Sequence, residues 1–320
     1  MNPSSTGPLT GMNYMQNAML KLGSYRIRDK LKFDRVERHG PIVILVGRRG
    51  TGKSFCLRDI CWHFHKDIKK VWVMSGTENC SPFFAHFVPP NSIVNKYNPD
   101  LASRIVNDQY VRCMNFYEKV ERKDPSANTE DCRIMWILDD CMYDDRWAKA
   151  ELMKYVFTCG RHIKIFLIVT MQYPLGIPPA LRSNIDAVFL MNDRGANLQK
   201  IYDTYASGVF DNFSEFKMIF SQVTQNRTCM VIDNNNTESN RLQDLVFYYK
   251  AQDRGPFRMG TPQDWQASVQ GTGISNGSGG GGNAGSSNGK RKSFDSAEYQ
   301  VGMNKRTKTN SGINIEVVRN

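Results

Sequence analysis

The eight residues from Gly47 to Ser54 constrain this chain more than any other part of it. They match the pattern G-x-x-x-x-G-K-[ST] at every fixed position and directly follow the apolar run Ile42–Val46. The pattern needs a buried strand, a glycine-rich turn and a helix in succession, and the residues on both sides supply that context. The glycines let the backbone curl so that its N–H groups point at phosphate oxygens, and the helix adds its positive N-terminal end. The sequence therefore predicts a phosphate-binding loop between a strand and a helix.

This loop predicts how the chain binds ATP. Lys53 is expected to reach the β- and γ-phosphates, and the Ser54 hydroxyl is expected to hold Mg²⁺. Arg48 and Arg49 occupy the variable part of the loop. They could shield the charge of the nucleotide, line a pore or be solvated, and the last interpretation is favoured. The candidate nucleotide ligands are Gly47, Arg48, Arg49, Gly50, Thr51, Gly52, Lys53 and Ser54.

Apolar runs of strand length alternate with segments of helical spacing over residues 41–250. Strands that are apolar on both faces and alternate with helices imply a mostly parallel sheet that is covered on both sides. The predicted fold class is α/β, with a central mostly parallel sheet flanked by helices. Further strands are expected at Val71–Met74, Ile134–Leu138, Ile165–Thr170, Ala187–Met191, Cys229–Ile232 and Leu245–Tyr249. Helices are expected at Lys53–Lys66, Leu101–Arg122, Trp147–Cys159, Leu198–Tyr205 and Phe213–Val223.

Composition divides the chain into four segments. A basic lead-in spans residues 1–40, in which Tyr25–Glu37 is expected to form a short helix or an edge strand. The domain with the phosphate-binding loop spans 41–250, and a C-terminal extension spans 251–270. Residues 271–320 are a Gly/Ser-rich linker followed by a basic tail, and they are predicted to be disordered. We expect no transmembrane helix, because no run of about 18 apolar residues occurs.

The charge balance favours a polyanionic partner. The net charge is +11, and residues 1–40 and 271–320 each carry seven basic and three acidic groups. Nucleic acid is one such partner, and basic tails that only aid solubility are the alternative. The clusters Lys290–Lys292 and Lys305–Lys308 are typical of a bipartite nuclear import signal, of a mobile DNA-binding arm or of a solvated tail. The eight cysteines form no C-x-x-C pair and are predicted to be reduced.

Two adjacent carboxylates, Asp139 and Asp140, end the expected strand Ile134–Leu138. We assign Asp139 to Mg²⁺ and Asp140 to the polarisation of an attacking water. Two neighbouring carboxylates resist ionising together, which raises the pKa of one of them. Capping of the following segment is the alternative. The strand Val71–Met74 lies between the loop and the acidic strand along the chain. This favours the branch of phosphate-loop NTPases in which the two motifs lie on non-adjacent strands.

A third element places Arg161 just before the strand Ile165–Thr170 and Gln172 just after it. With its Gly-Arg, apolar strand and Thr-x-Gln-x-Pro order, the segment resembles the FtsK/HerA superfamily of DNA-pumping ATPases. The Asp-Asp pair, the length and Tyr248–Lys250 look more like the genome-packaging ATPases of poxviruses and other nucleo-cytoplasmic large DNA viruses. Cellular members commonly have Asp-Glu and Ala-Thr-Gln where this chain has Asp-Asp and Thr-Met-Gln. The resemblance covers about residues 41–250.

The resemblance implies an ASCE-type, RecA-like P-loop NTPase and further site residues. Gln172 would sense the γ-phosphate or position water, and Arg161 would enter the site of a neighbouring subunit as an arginine finger. Arg182 is the second candidate for the finger. The alternatives from the residues themselves are a helix C-terminal cation for Arg161 and a turn residue for Gln172. The implied catalytic set is Lys53, Asp140, Gln172 and Arg161, with Ser54 and Asp139 at the metal.

By the same resemblance the function is that of an ATP-hydrolysing motor that moves double-stranded DNA into a viral capsid. Its cofactors would be ATP and Mg²⁺. Its partners would be double-stranded DNA, further copies in a ring of five or six, and capsid or inner-membrane virion proteins. It would act in the virion and the host-cell cytoplasm, and in the nucleus if the tail is an import signal. Two alternatives remain: a cellular or plasmid DNA translocase or helicase, and an assembly factor that ATP switches without hydrolysis.

Overall fold

Nine strands form one sheet through the described part of the chain. The structure, a computed structural model, describes residues 22–141 and 147–271. The interpretations of residues 1–21 and of the basic tail lie outside these ranges. The strands are β1 (Gly23–Ser24), β2 (Ile42–Val46), β3 (Lys70–Ser75), β4 (Ile93–Val94), β5 (Ile134–Asp139), β6 (Ile165–Met171), β7 (Ala187–Leu190), β8 (Thr228–Asp233) and β9 (Val246–Lys250).

Helices alternate with these strands, and several are only one turn long. None of the helices within the described residues is both long and apolar enough to cross a membrane. Helix α6 continues into a π-helical turn at Tyr202–Ala206. The helices are α1 (Ile27–Lys30), α2 (Lys53–Phe64), α3 (Pro99–Glu121), α4 (Glu151–Cys159), α5 (Pro179–Arg182), α6 (Ala196–Ile201), α7 (Phe213–Val223), α8 (Leu242–Leu245) and α9 (Pro262–Gly271).

The sheet is mostly parallel, which confirms the predicted α/β class. Its order is β1-β9-β8-β7-β2-β6-β5-β3-β4. The six strands from β7 to β4 run parallel, whereas β8 is antiparallel to β7 and to β9. The loop strand β2 and the acidic strand β5 are not adjacent, as the sequence predicts. The strand that lies between them in the sheet is β6, however, and β3 lies on the far side of β5.

Two hydrophobic layers cover the sheet. One contains residues of α3, α4 and α7, and the other contains residues of α2 and of the lead-in. Every residue of β2, β5, β6 and β7 is buried, so these strands have no polar face to show to water. Because neither face is exposed, their sequences are continuous apolar runs rather than alternating ones.

The lead-in from residue 22 onward and the C-terminal extension both pack against the sheet and its helices. Tyr25, Ile27, Leu31 and Phe33 are buried in the layer that contains α2. Both a short strand and a short helix occur in this region, and β1 pairs with β9. The described residues from Leu22 to Gly271 belong to one compact unit. The lead-in from residue 22 is therefore part of the folded core.

A buried carboxylate joins α2 to the extension. Asp59 accepts hydrogen bonds from the Tyr249 hydroxyl at 2.6 Å, the Gln252 N–H at 2.8 Å and the Arg254 Nε at 2.8 Å. The Asp59 side chain is fully buried, so these donors replace water around its charge. The guanidinium of Arg254 also lies over the Trp62 ring at 4.4 Å. This network fixes the path of the chain after β9.

We expect Arg254→Met to destabilise the protein by about 1–3 kcal/mol, because it removes one donor from a buried carboxylate and keeps most of the aliphatic stem. Urea unfolding followed by circular dichroism measures the free energy of unfolding. Lys250→Met, at an exposed position at the end of β9, is the matched control and should change it by less than about 0.5 kcal/mol. Equal effects of the two substitutions would contradict the role of the network.

Candidate active site

The phosphate loop connects β2 to α2 and depends on glycine at three positions. Gly50 and Gly52 have φ of +79° and +101°, which side chains disfavour. A Cβ on Gly47 would lie 2.4 Å from the Cβ of Met191, so a side chain does not fit there. The turn ends at Lys53, the first residue of α2. The loop is therefore shaped by the glycines that the sequence pattern demands.

The Lys53 side chain lies within its own loop. Its Nζ donates to the carbonyl oxygen of Gly47 at 2.6 Å and to that of Arg48 at 3.2 Å. Burial lowers the pKa of Lys53, and the charges of Asp140, Asp139 and Asp193 oppose this shift. Since both acceptors are neutral carbonyl oxygens, the ammonium group can exchange them for the charged oxygens of an anion. The cation is thus held where the loop can present it to an anion.

Asp139, the last residue of β5, is held from both neighbouring strands. Ser75 Oγ of β3 donates to its Oδ2 at 2.8 Å, and Thr170 Oγ1 of β6 donates to its Oδ1 at 2.7 Å. The residue is 9% exposed. Burial raises the pKa of Asp139, while the bonds from Thr170 and Ser75 lower it. The carboxylate is therefore fixed in orientation at the carboxyl end of the strand.

Asp140 turns the chain out of the sheet and contacts Gln172. Its φ is +51°, in the left-handed region. Its N–H donates to the carbonyl oxygen of Thr170 at 3.3 Å and lies 3.2 Å from Thr170 Oγ1. Its Oδ2 accepts a hydrogen bond from Gln172 Nε2. The twin acids thus face different surroundings, one buried between strands and the other beside the glutamine.

Parallel strands bring these groups together at the carboxyl-terminal ends of the strands. The loop follows β2, Gln172 follows β6, and Asp139 ends β5 with Asp140 directly after it. These three strands are neighbours in the order β2-β6-β5. Ligand sites of open α/β sheets lie outside the carboxyl ends of the strands. The structure therefore brings Lys53, Asp139, Asp140 and Gln172 together.

Arg161 lies at the opposite end of the parallel strands, before the amino-terminal end of β6. It sits in the 3₁₀ turn Gly160–Ile163 that precedes β6, whereas Gln172 follows the same strand. A seven-residue strand spans roughly 20 Å, so Arg161 does not join Lys53 within one chain. Arg182 ends α5, before β7, and its Nε donates to the carbonyl oxygen of Ile177 at 2.9 Å.

Arg49 is exposed, and Arg48, whose side chain is 43% exposed, forms an ion pair. Arg48 Nε lies 3.0 Å from an oxygen of Asp193, whose side chain is fully buried. Asp193 follows β7 and also accepts hydrogen bonds from the Arg194 N–H at 2.7 Å and from Asn197 Nδ2. The phosphate loop is therefore tied to the loop after β7.

Sequence reasoning missed Ser75, Thr170 and Asp193. Thr170 is a polar residue within an otherwise apolar strand, and Ser75 ends β3 beside Asp139. A polar residue at the carboxyl end of a buried parallel strand was the available signal for these two. Asp193 likewise comes shortly after β7, but its pairing with Arg48 depends on the tertiary fold.

Comparison with known proteins gives one family match. The family model described as Poxvirus A32 protein matches residues 29–250. Protein L437 of Acanthamoeba polyphaga mimivirus is 31% identical over 216 residues, which cover 67% of this chain and 74% of that protein. Protein 075L of Invertebrate iridescent virus 6 is 31% identical over 212 residues, with 66% and 77% covered.

Two solved structures are also similar. The genome packaging NTPase B204 from Sulfolobus turreted icosahedral virus 2, in complex with AMPPCP, has a TM-score of 0.46 and 14% identity, with 67% of this chain and 99% of that chain covered. The pCW3 conjugation coupling protein TcpA, in its monomer form with ATPγS, has a TM-score of 0.49 and 13% identity, with 73% and 71% covered.

The surroundings of Asp139 predict how stability depends on pH. A carboxyl group whose pKa is raised on folding stabilises the protein fully below its ordinary value of 3.8, and this contribution is lost as the pH rises through the raised pKa. At neutral pH the buried charge therefore opposes folding. We expect Asp139→Asn to unfold at the same or a higher temperature than wild type at neutral pH. The difference should shrink as the pH falls.

Thermal unfolding at a series of pH values measures this prediction. Asp211→Asn, at an exposed position, is the matched control for removal of a carboxylate. A midpoint for Asp139→Asn that lies several degrees below wild type at neutral pH would show that the ionised carboxylate stabilises the fold, contrary to the expectation.

Proposed function

Because this chain belongs to the family of the poxvirus A32 protein, we propose that it is an ATP-hydrolysing motor that moves double-stranded viral DNA into the capsid during virion assembly. One observation carries the proposal. The phosphate loop, the twin acids and Gln172 meet at the carboxyl-terminal ends of three neighbouring strands. This arrangement unites a phosphate cradle, a metal-binding carboxylate and a group that activates water.

The loop binds the phosphates of ATP in this proposal. Backbone N–H groups between Gly47 and Ser54 and the N-terminal end of α2 attract the negative charge. Lys53 reaches the β- and γ-phosphates by giving up its hydrogen bonds to the Gly47 and Arg48 carbonyl oxygens. Exchange of neutral acceptors for charged ones strengthens the bonds of the ammonium group.

The residues at these strand ends fit Mg²⁺, since a hydroxyl and a carboxylate are the hard oxygen ligands that this ion prefers. Ser54 follows Lys53 on α2, and Asp139 is fixed at the neighbouring strand end by Ser75 and Thr170. Bound Mg²⁺ would neutralise charge on the β- and γ-phosphates. The role of Asp139 is to hold its carboxylate in a constant orientation while the nucleotide changes.

Asp140 and Gln172 act on the attacking water. Asp140 accepts a proton from the water while the water oxygen attacks the γ-phosphorus. The bond between the γ-phosphorus and the ADP oxygen breaks as the new bond forms. The Gln172 amide donates to Asp140, and an amide can also bond a phosphate oxygen or a water. Gln172 thereby links the state of the γ-phosphate to the position of the base.

Arg161 serves the site of a neighbouring subunit. It lies before the amino-terminal end of β6, which separates it from the phosphate loop of its own chain. A guanidinium is always charged and can bridge two oxygens of the transferred phosphate. Each site then needs two chains, and a closed ring of five or six copies gives every site its arginine.

The remaining partners follow from charge and from the family. A net charge of +11 suits binding to the phosphate backbone of duplex DNA. Capsid or inner-membrane virion proteins would receive the motor at the assembly site in the host-cell cytoplasm. Nuclear import through the basic tail belongs to the same proposal only if the tail acts as a signal.

We expect the purified protein to hydrolyse ATP faster when duplex DNA is present, with a rate per subunit that rises with protein concentration. It should also displace a third strand bound to a DNA triplex, because a motor that moves along the duplex removes that strand. Phosphate release and gel analysis of the triplex measure the two activities. A flat concentration profile without a DNA response would contradict a ring-shaped motor.

Asp140→Asn should lower the hydrolysis rate by about 10²-fold or more, because general-base catalysis contributes about 10²–10⁴-fold. Nucleotide binding, measured with a fluorescent ATP analogue, should remain. Asp203→Asn, in the π-helical turn after α6, is the matched control and should keep the wild-type rate. Equal rates for wild type and Asp140→Asn would show that another group is the base.

Arg161→Ala and Lys53→Ala should each be inactive alone and recover activity when mixed. In an equal mixture, about a quarter of the interfaces join an intact Lys53 to an intact Arg161 of the next subunit, if the subunits assemble at random. The expected rate is therefore about a quarter of that of wild type at the same total concentration. A mixture no more active than the sum of its components would rule out action between subunits.

A further inference from the structure

One face of α3 carries three polar side chains at intervals of four residues, Gln109, Cys113 and Tyr117. Residues at this spacing lie on the same side of a helix. All three are buried in the layer that covers the sheet, and Gln109 is 1% exposed. A buried amide is costly unless its polar atoms form hydrogen bonds. The partners of this face therefore explain why a largely apolar layer contains it.

Gln109 bonds two backbone segments at the amino-terminal ends of the strands. Its Nε2 donates to the carbonyl oxygen of Ile163 at 2.7 Å and to that of Cys132 at 2.6 Å. Ile163 ends the arginine turn (Gly160–Ile163), and Cys132 comes shortly before β5. The amide therefore ties the arginine turn to the start of the neighbouring strand.

Tyr117 and Cys113 add two more bonds from α3 to the arginine turn. The Tyr117 hydroxyl donates to the carbonyl oxygen of His162 at 3.1 Å. Cys113 Sγ donates to the carbonyl oxygen of Ile163 at 3.1 Å. The two residues that follow Arg161 therefore both accept hydrogen bonds from one face of the helix.

The residue after the turn is a buried lysine with a left-handed backbone. Lys164 has a φ of +54° and is fully buried. Its Nζ donates to the carbonyl oxygen of Asp34, at 3.1 Å, and to that of Glu37 in the lead-in. Its own carbonyl oxygen accepts a hydrogen bond from the Ile134 N–H at 3.1 Å. The arginine turn is thus held from α3, from the lead-in and from β5.

The Arg161 side chain, in contrast, is not held. Within residues 22–141 and 147–271, no hydrogen bond or ion pair joins its guanidinium to another group. The residue is partly exposed. The backbone of the turn therefore sets where the guanidinium can reach. Precise placement matters, because a misplacement of about 1 Å in an active site can cost about 10²-fold in rate.

We propose that Gln109 is a positioning residue for Arg161 and that Tyr117 assists it. Through the carbonyl oxygens of Ile163 and His162 they fix the arginine turn, so that the guanidinium meets the nucleotide of the next subunit. This role rests on the proposed function, because it needs Arg161 to act between subunits. It gives α3 control over hydrolysis in the neighbouring subunit rather than in its own.

Gln109→Met tests this role in the full chain, because it removes both donors and keeps most of the side-chain length. We expect kcat for ATP hydrolysis to fall by about tenfold or more. The KM for ATP should change by less than about twofold, because the phosphate loop lies at the other end of the strands. Phosphate release at a series of ATP concentrations measures both.

Subunit mixing separates positioning from a general structural defect. In an equal mixture with Lys53→Ala, about a quarter of the interfaces join the intact loop of Gln109→Met to a normally held arginine, so the rate should reach about a quarter of wild type. In a mixture with Arg161→Ala, every available arginine comes from the Gln109→Met chain. That mixture should be no more active than the sum of its components.

Two control variants lie on the same helix. Val106→Ala truncates a buried apolar side chain about one turn before Gln109, so it lowers stability without touching the turn and should keep the wild-type rate. Tyr117→Phe should lose about two- to tenfold in kcat with the same mixing pattern. Tyr110→Phe, whose hydroxyl forms no hydrogen bond within the described residues, should keep the wild-type rate.

The outcomes distinguish this role from the proposed function. Wild-type kcat in Gln109→Met, or recovery with both partners or with neither, would overturn the role of Gln109. If Gln109→Met does not fold by circular dichroism, the same mixtures with Tyr117→Phe decide the question. If Arg161→Ala and Lys53→Ala fail to complement each other, action between subunits itself is wrong, and the role of Gln109 falls with it.

Discussion

The two hydrogen bonds that hold Asp139 are the contacts on which the site depends. Ser75, Asp139 and Thr170 are direct register partners on three adjacent parallel strands. Each hydroxyl therefore lies beside the carboxylate without any bend of the backbone. A slip of one residue would turn the carboxylate to the other face of the sheet. The continuous apolar cores on both faces oppose such a slip, because every residue of β5 and β6 is buried.

Strand β6 connects the nucleotide site of its own subunit to Arg161, which would act at the site of a neighbouring subunit in the proposed ring. At its carboxyl end it carries Thr170 and, one position beyond the strand, Gln172, and before its amino end comes Arg161. The strand is buried along its whole length and paired on both sides, so its two ends keep a constant separation. In a ring, each β6 would lie between the nucleotide of its own subunit and that of the next. A shift of the strand at one site would thus also move the residues at the other site.

The motifs and the long strands could be predicted from sequence, and the comparisons confirm the resemblance to the poxvirus family. Glycines, the lysine and the twin acids have fixed spacing, and β2, β5 and β6 are continuous apolar runs. Strands β1 and β4 have only two residues each, too few for a periodic signal. Which strand lies between β2 and β5 depends on chain crossovers, so β6 could not be identified from order along the chain. The pair Arg48–Asp193 required the tertiary fold for the same reason.

The boundary of the working domain extends past the last recognisable motif. Helix α2 begins with Lys53, and one face of it carries Asp59, whose carboxylate is bonded by Tyr249, Gln252 and Arg254. The family match ends at residue 250, yet two of these three donors follow it. Since a helix behaves as a rigid rod over two turns, a partner that holds Asp59 also fixes the direction in which α2 continues from the phosphate loop. The extension therefore helps to set the geometry of the phosphate loop, although it contains no residue of the loop itself.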